Sequence, residues 1–260
     1  MITFFYVEPE NVGEDNLKIF GEEAMHITTV LRYKKGEVIE VVDGKGGKYK
    51  VMIASAEKNL IEGKILSKTL LENEPKVFLT LAQSIGKGMK MDWVIEKGTE
   101  IGVSSFIPLV TLRTSVQPFG KLRMVSEASP LGDEKEKARL KRWRRVAISS
   151  MKQSLRSVLP DIQKITTLDE LLLKVKDFDL VLFGSLDEQA KKIKSLARFK
   201  KTLKKLLVIV GPEGGFTEEE KQKLIQAGAI PVNLGKRRLR TETAGIVFCS
   251  LVLYEWGDLG

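Results

Sequence analysis

Two stretches near the C-terminus share one order of residues, and they restrict the fold more than any other feature of the chain. In residues 206–216 (LLVIVGPEGGF) and 230–244 (IPVNLGKRRLRTETA), a hydrophobic run ends in a small or charged loop before a helix-like segment. Thr217 then precedes three glutamates, which predicts a helix N-cap with an acidic first turn. Two such units predict a parallel α/β sheet with both loops at the edge where these sheets bind ligands.

The region before these loops continues the same alternation of strands and helices. A strand is predicted over residues 77–82, a helix over 91–101 that ends at Gly102, and a strand over 106–110. A long basic helix over 135–156 has an apolar stripe at helical spacing, and its Ser149, Gln153 and Arg156 are expected on one face. A lysine-rich helix is predicted over 190–205, and the last helix is predicted to start at Thr243.

The first 70 residues have a different pattern, with several short strands and one helix over residues 21–32. Strands at 38–42 and 49–53 flank a glycine-rich turn, which is typical of a hairpin. A compact barrel or half-barrel follows from this pattern. The polar segment at 72–75 contains a proline and marks the boundary. We therefore predict domains at residues 1–72 and 73–260.

Composition excludes several kinds of site. The 260 residues include one cysteine and one histidine, Cys249 and His26. An intramolecular disulfide and a multi-cysteine zinc site are excluded, and Ser-His-Asp chemistry is poorly supported. We expect no bound metal. The apolar run at 244–254 is shorter than the roughly 20 residues of a membrane span, and no signal peptide is evident, so we expect a cytoplasmic protein without membrane contact.

The charge distribution suggests a polyanionic partner for the larger region. The formal net charge is +9, but residues 1–73 hold 10 basic and 12 acidic side chains, so residues 74–260 hold 33 and 22. A basic domain favours nucleic acid as its partner. The alternative is a densely charged surface of the kind found in heat-adapted proteins.

The loop at residues 211–215 (GPEGG) is the most unusual local sequence. Its glycines let a ligand approach main-chain groups closely, yet it matches neither the dinucleotide fingerprint nor the Walker loop. Glu213 would oppose an anion and suits a ligand with a positive centre or donor groups. The alternative is a tight strand-to-helix turn. In the second loop, Thr241 or Thr243 can cap the last helix, and the alternative there is a solvated loop.

Five separate motifs occur along the chain. They are the paired loops GPEGGF and LRTETA, His26 with residues 30–32 (VLR), residues 97–103 (KGTEIGV), Arg142-Trp143, and Gln153-Ser154 with Arg156 and Pro160. Together they resemble the RsmE family of ribosomal RNA uracil-N3 methyltransferases, in the SPOUT superfamily. Two departures from the family pattern are Lys152, where a glutamate is expected, and the lack of basic residues before Phe4.

The resemblance implies a PUA-like N-terminal β-barrel, a C-terminal α/β domain with a trefoil knot, and a homodimer. It also implies S-adenosylmethionine as methyl donor and small-subunit ribosomal RNA, free or in the assembled subunit, as substrate. The residues that it places at the cofactor are Phe183, Gly184, Val210, Gly211, Glu213, Gly214, Leu234, Gly235, Leu239, Arg240, Thr241 and Ala244.

Methylation of uracil N3 requires removal of a proton or stabilisation of the anion on the flanking oxygens. The guanidinium group of an arginine can donate hydrogen bonds to those oxygens. Arg156 is the first candidate for this role and Arg240 is the second. Glu213 could accept the proton or orient the cofactor's amino group. The residues predicted to contact RNA are Arg32, Lys87, Lys90, Arg113, Arg142, Arg145, Gln153 and Arg156. Two other classes stay open: a non-catalytic RNA-binding assembly factor and a Rossmann-type nucleotide enzyme.

Overall fold

The computed structural model describes residues 4–71, 73–114, 133–187, 189–199, 203–256 and 259. The chain divides into two compact units. The first comprises Met1–Glu74 and Ala147–Leu159, and the second comprises Pro75–Val146 and Pro160–Gly260. The first unit thus includes a segment, residues 147–159, that the predicted boundary at 72/73 assigned to the larger domain.

The first unit is built on a five-stranded sheet in the order β1-β3-β4-β5-β2. Strand β1 runs parallel to β3, and the other neighbours are antiparallel. A short helix α1 and a wide helical turn over His26–Val30 follow β2. The elements are β1 (Phe4–Tyr6), β2 (Asn16–Phe20), α1 (Gly21–Met25), β3 (Val38–Val42), β4 (Gly47–Glu57) and β5 (Leu60–Leu70).

Both faces of β1 are buried, because side chains alternate across a strand. Phe5 packs in the core between the strands of the first unit. Phe4 and Tyr6 pack on the opposite side in a cluster with Met151. This second cluster explains why residues 147–159 belong to the first unit.

The second unit contains an eight-stranded sheet in which every recorded pairing is parallel. Its order is β11-β13-β10-β12-β6-β7-β8, with β9 also paired to β7. The strands are β6 (Phe78–Ser84), β7 (Ser105–Val110), β8 (Asp161–Ile162), β9 (Thr166–Thr167), β10 (Leu180–Gly184), β11 (Lys191–Lys192), β12 (Lys205–Val210) and β13 (Ile230–Asn233). The remaining helices of the described chain are α2 (Lys90–Ile101), α3 (Asp133–Gln153), α4 (Leu168–Leu172), α5 (Glu218–Gln226) and α6 (Thr241–Glu255).

The two faces of this sheet pack against different helices. Leu207, Ile209 and Ala82 point into a core that includes residues of α4 and α5. Leu81 and Gln83 point to the other face, where they approach Gly245 of α6. Helix α6 is apolar nearly all round, as expected of a helix buried on several sides. No helix in the described part of the chain combines the length and hydropathy needed to cross a membrane.

Two predictions about elements were wrong in detail. Helix α6 begins at Thr241 with Arg240 as its N-cap, so neither threonine caps it. Within the range 190–205, where one helix was predicted, the described residues form β11 and a 3-10 helix over Ile193–Phe199, and Lys205 begins β12. Residues 200–202 of this predicted helix lie outside the described residues. Ile193 and Leu196 are both buried, and their spacing of three residues matches the 3-10 repeat.

The long helix α3 ends at Gln153, three residues before its predicted end. Leu155 has a φ of 60°, so the chain turns out of the helix there. Arg156 therefore does not share a helical face with Ser149 and Gln153. The trefoil knot that the resemblance implies stays a prediction.

Candidate active site

A cavity of about 280 Å³ lies in the second unit, where three neighbouring parallel strands, β13, β10 and β12, end. Its walls come from the loops that follow these strands and from the start of α6. This is the edge at which open α/β sheets bind ligands. This volume is close to about 300 Å³, the lower end of the range for small-molecule sites.

Ten of the twelve residues predicted to bind the cofactor line this cavity. They are Gly184, Val210, Gly211, Glu213, Gly214, Leu234, Gly235, Leu239, Thr241 and Ala244.

Phe183 and Arg240 do not line the cavity. Phe183 is buried and makes an edge-on contact with Phe216, with ring centroids 6.1 Å apart, so it supports a residue that does line the wall. Arg240 is exposed at the N-cap of α6.

The glycine-rich loop over residues 211–216 has a defined shape. Gly215 adopts a φ of 66°, which favours glycine. A Cβ at Gly211 would lie 3.0 Å from the ring of Phe216, so a side chain there would press on the ring. The loop ends at Thr217, which caps α5 in a reciprocal arrangement with Glu220, and this confirms the predicted N-cap.

Thr241 links the start of α6 to the glycine-rich loop and to β6. Its Oγ1 donates to the carbonyl oxygen of Gly211 at 2.7 Å and accepts from Nε2 of the buried Gln83 at 2.9 Å. The first turn of α6 is thereby fixed to the end of β12 and to β6.

Glu213 forms an ion pair with Lys90, with 2.6 Å between Oε1 and Nζ. This contact lowers the pKa of the Glu213 carboxyl below its usual value, and it raises the pKa of Lys90. A carboxylate held in its charged form is a weak proton acceptor. The geometry therefore favours a binding role for Glu213 over the role of a base, and Lys90 is engaged at the cavity wall.

Arg113 lines the cavity although the sequence pointed to an RNA contact. Its Nη1 donates to the carbonyl oxygen of Gly214 at 2.8 Å. The arginine side chain therefore holds the main chain of the glycine-rich loop by a hydrogen bond.

Asp187, a polar residue after β10, was not among the residues predicted from the sequence. Asp187 lines the cavity, accepts a hydrogen bond from Ser185 at 2.7 Å and pairs with Lys221 at 2.9 Å. Hydrogen bonds from Lys221 and Ser185 lower the pKa of Asp187, which stays ionised at neutral pH. Its position in the sequence could have indicated a site residue, because residues 185–187 directly follow a strand that ends at the same edge as β12.

Comparison with known proteins agrees with this architecture. The RNA methyltransferase domain model matches residues 72–253, and the RNA methyltransferase PUA domain model matches residues 21–66. The ribosomal RNA small subunit methyltransferase E of Bacillus subtilis is 31% identical over 242 residues, which cover 91% of this chain and 89% of that protein. This chain belongs to the ribosomal RNA small subunit methyltransferase E family.

Solved structures support the same assignment. A ribosomal RNA small subunit methyltransferase E from Neisseria gonorrhoeae, bound to S-adenosylmethionine, is 31% identical with a TM-score of 0.83 over 100% of both chains. A methyltransferase structure from Legionella pneumophila with bound cofactor SAM is 28% identical, with a TM-score of 0.81 over 97% of both chains. The predicted α/β fold with a PUA-like N-terminal domain is confirmed.

Arg156, which was predicted to act at the substrate and to contact RNA, is buried in this structure. The residue belongs to the first unit and is 2% exposed. Its Nε and Nη2 donate to Oε2 of Glu74 at 3.1 and 2.8 Å. Burial and this ion pair indicate a structural role, and the catalytic and RNA-binding roles of Arg156 stay predictions.

Lys152, the departure from the family pattern, is also engaged within the first unit. Its Nζ lies 2.8 Å from both carboxylate oxygens of Glu23, and one of these oxygens also accepts from the main-chain N–H of Tyr6. The lysine therefore links the end of α3 to α1 and β1.

The other residues predicted to bind RNA differ in their surroundings. Arg142 pairs with the buried Asp92, which also accepts from Nε1 of Trp143 at 3.1 Å, although half of the arginine side chain is exposed. Four side chains are exposed and stay candidates for RNA contact: Arg32, Lys87, Arg145 and Gln153. Among the residues that the structure describes, no cluster of acidic, histidine and cysteine side chains could hold a metal ion.

Proposed function

We propose that this chain is an S-adenosylmethionine-dependent methyltransferase that acts on N3 of a uridine in small-subunit ribosomal RNA. The observation that carries the proposal is the convergence of ten residues predicted to bind the cofactor on one cavity at the carboxyl edge of the sheet. Family members with that cofactor bound, and the names of the curated relatives, give the reaction its class. A cytoplasmic location is consistent with such a substrate.

The chemistry of the cavity wall suits the cofactor. Gly211, Gly214 and Gly235 line the wall, and the lack of a side chain at each lets a ligand approach the main chain closely. The carboxylates of Glu213 and Asp187, both with lowered pKa, suit a ligand that carries a sulfonium and an ammonium group. When bound, the cofactor supplies an activated methyl group, and the chain supplies position and charge.

Two more arginines are candidates for stabilising the uracil, beside Arg156 and Arg240. Arg237 and Arg238 both line the cavity and are exposed, whereas Arg156 is buried in the first unit. Their guanidinium groups would donate to the uracil oxygens as N3 loses its proton. Exposed Arg240, two residues after Arg238, stays a candidate.

RNA binding would involve both units. The predicted domains, residues 1–72 and 73–260, correspond in this proposal to a PUA-like RNA-binding part and a catalytic part. The excess of basic residues beyond residue 73 would attract the phosphate backbone, and Arg32, Lys87, Arg145 and Gln153 are exposed for local contacts. RNA affinity should therefore fall steeply as salt is raised.

A homodimer is part of the proposal. Helices α2 and α6 pack on each other and leave apolar side chains accessible: Trp93 and Tyr254 are 60% and 62% exposed, and Val247 and Leu251 are half-buried. Such a surface is typical of an interface. Light scattering should give twice the chain mass, and Trp93→Glu should shift the protein toward the monomer.

The reaction is tested by mass mapping of ribosomal RNA after incubation with protein and cofactor. We expect one methylated uridine, with slower methylation by Arg237→Ala and Arg238→Ala at unchanged cofactor affinity. Methylation on another atom would overturn the N3 assignment. If calorimetry shows RNA binding but no cofactor binding, the non-catalytic assembly factor is the better description.

A further inference from the structure

The glycine-rich loop needs external support to keep its shape. Gly211, Gly214 and Gly215 lie within residues 211–216, and glycine loses more conformational entropy on ordering than any other residue. The same loop supplies a wall of the cavity. Contacts that fix it therefore bear directly on how well the cavity is preformed.

We propose that Arg113 and Lys90 are positioning residues that clamp residues 211–216 from two sides and thereby preform the cofactor site. Arg113 follows β7 and Lys90 begins α2, so the clamp joins the loop to two other segments of the second unit. This inference rests on the proposed function, because it names the residues that prepare that cofactor site.

Arg113 holds the second half of the loop. Its Nη1 donates to the carbonyl oxygen of Gly214 at 2.8 Å and approaches that of Phe216 at 3.5 Å. Its side-chain carbons also lie along Gly214, where a Cβ would come within 3.3 Å of the arginine Cδ. A guanidinium satisfies two carbonyls with one rigid group, which suits a support for main chain.

A second link joins the same two segments. The main-chain N–H of Leu112 donates to Oε1 of Glu220 at 2.9 Å, while Oε2 of Glu220 accepts from the N–H of Thr217 at 2.8 Å. Glu220 is 4% exposed. The segment after β7 is thus fixed to the end of the loop independently of Arg113, and this contact aligns the arginine with its carbonyls.

Lys90 holds the first half of the loop. Its Nζ lies 2.6 Å from Oε1 of Glu213 and 3.7 Å from Oε2 of Glu242 in α6. The lysine thus lies between a carboxylate of the glycine-rich loop and one in the first turn of α6. Because Lys90 and Arg113 are engaged by the loop, they contribute to the cofactor site more than to a phosphate backbone.

The test compares Arg113→Ala, Arg113→Lys and Lys90→Gln with wild type and with Lys194→Ala, which alters an exposed lysine away from the cavity. Hydrogen exchange is measured at residues 211–216 without ligand, and S-adenosylmethionine affinity is measured by calorimetry. We expect faster exchange in Arg113→Ala and Lys90→Gln, and cofactor affinity roughly tenfold weaker in Arg113→Ala. Arg113→Lys should recover part of the loss, and Lys194→Ala should match wild type.

The proposal is overturned if the loop exchanges at the wild-type rate in Arg113→Ala. It is also overturned if that variant binds cofactor normally while the slope of log RNA affinity against log salt concentration decreases by about one. That change in slope marks the loss of a phosphate contact. Hydrogen-exchange rates are measured without ligand, so they test whether Arg113 and Lys90 hold the loop even if the wild-type protein fails to bind cofactor. That failure would instead count against the proposed function.

Discussion

The guanidinium of Arg156 and the carboxylate of Glu74 form a buried ion pair, with side chains 3% and 10% exposed. Oε1 of Glu74 also accepts from the main-chain N–H groups of Ser157 and Val158 at 2.8 and 2.9 Å. One carboxylate therefore fixes the chain where it leaves α3. A buried pair with satisfied hydrogen bonds contributes to stability chiefly because losing one partner leaves the other charge uncompensated.

We predict that Arg156→Ala lowers the free energy of unfolding by about 3 kcal/mol, because Glu74 is left buried without its cation. Urea denaturation of the variant measures the change. Exposed Arg145→Ala serves as the control and should stay within about 0.5 kcal/mol of wild type. A variant as stable as wild type would show that the pair has little structural importance.

The phenol of Tyr49 depends on a similar local arrangement. Its hydroxyl donates to Oδ2 of Asp43 at 2.9 Å, and Oδ1 of Asp43 accepts from the N–H groups of Lys45 and Gly47. Burial, together with the Asp43 hydrogen bond and charge, raises the pKa of Tyr49 to about 12. The neutral phenol is thus stabilised in the folded state.

Stability should therefore decrease at alkaline pH. Because the folded pKa of Tyr49 is above the unfolded value of 10.0, its contribution is complete below pH 10 and is lost as pH rises through about 12. Denaturation at several pH values should show this decrease, and absorbance titration should show one tyrosine ionising late. Tyr49→Phe should remove both effects; a variant that keeps the late titration would contradict the assignment.

Among the elements, α2 and β7 approach closely at Gly98. A Cβ at this position would lie 2.7 Å from two ring atoms of Phe106, which is fully buried. Glycine is unfavourable inside a helix by about 1 kcal/mol, so its presence here reflects packing against the strand. The close contact sets the distance between α2 and the sheet, and α2 carries Lys90 at its first position.

We predict that Gly98→Ala destabilises the protein by about 1–3 kcal/mol, since overlap with the Phe106 ring outweighs the gain in helix propensity. Chemical denaturation gives the value. In a Phe106→Leu background the same substitution should cost less, and the double-mutant cycle measures that coupling. An additive cycle would indicate that the ring does not limit the approach.

At the scale of the whole molecule, the cavity and the acidic and basic groups at its wall belong to the second unit alone. A ligand that binds there stabilises the folded form by mass action, about 2.7 kcal/mol at 100 times its dissociation constant. The first unit has its own core around Phe5. Ligand protection should therefore be concentrated in the second unit.

We predict that S-adenosylmethionine raises the melting temperature and slows hydrogen exchange mainly in the loops after β10, β12 and β13. Differential scanning calorimetry and exchange mass spectrometry measure the two effects. NAD at the same concentration is the control and should produce neither effect. Stabilisation by NAD alone would favour the Rossmann-type alternative.

Local features of the sequence determined much of this protein. Hydrophobic runs, glycine loops and the Thr217 cap predicted the strand–loop–helix units, and the family resemblance implied ten residues of the cavity wall. These features act over a few residues, so local sequence is sufficient to predict them. Parallel strands then bring their carboxyl ends to one edge, which places the loops together.

Only the tertiary structure decided which charged side chains form ion pairs or hydrogen bonds within the protein. Arg156 meets Glu74 across 82 residues of sequence, Arg113 meets Gly214 across 101, and Lys90 meets Glu213 across 123. A basic residue has the same appearance in sequence whether it faces solvent, a carboxylate or a carbonyl. The sheet order and helix packing select among these partners, so the paired glycine loops were predictable and the residues that hold them in place were not.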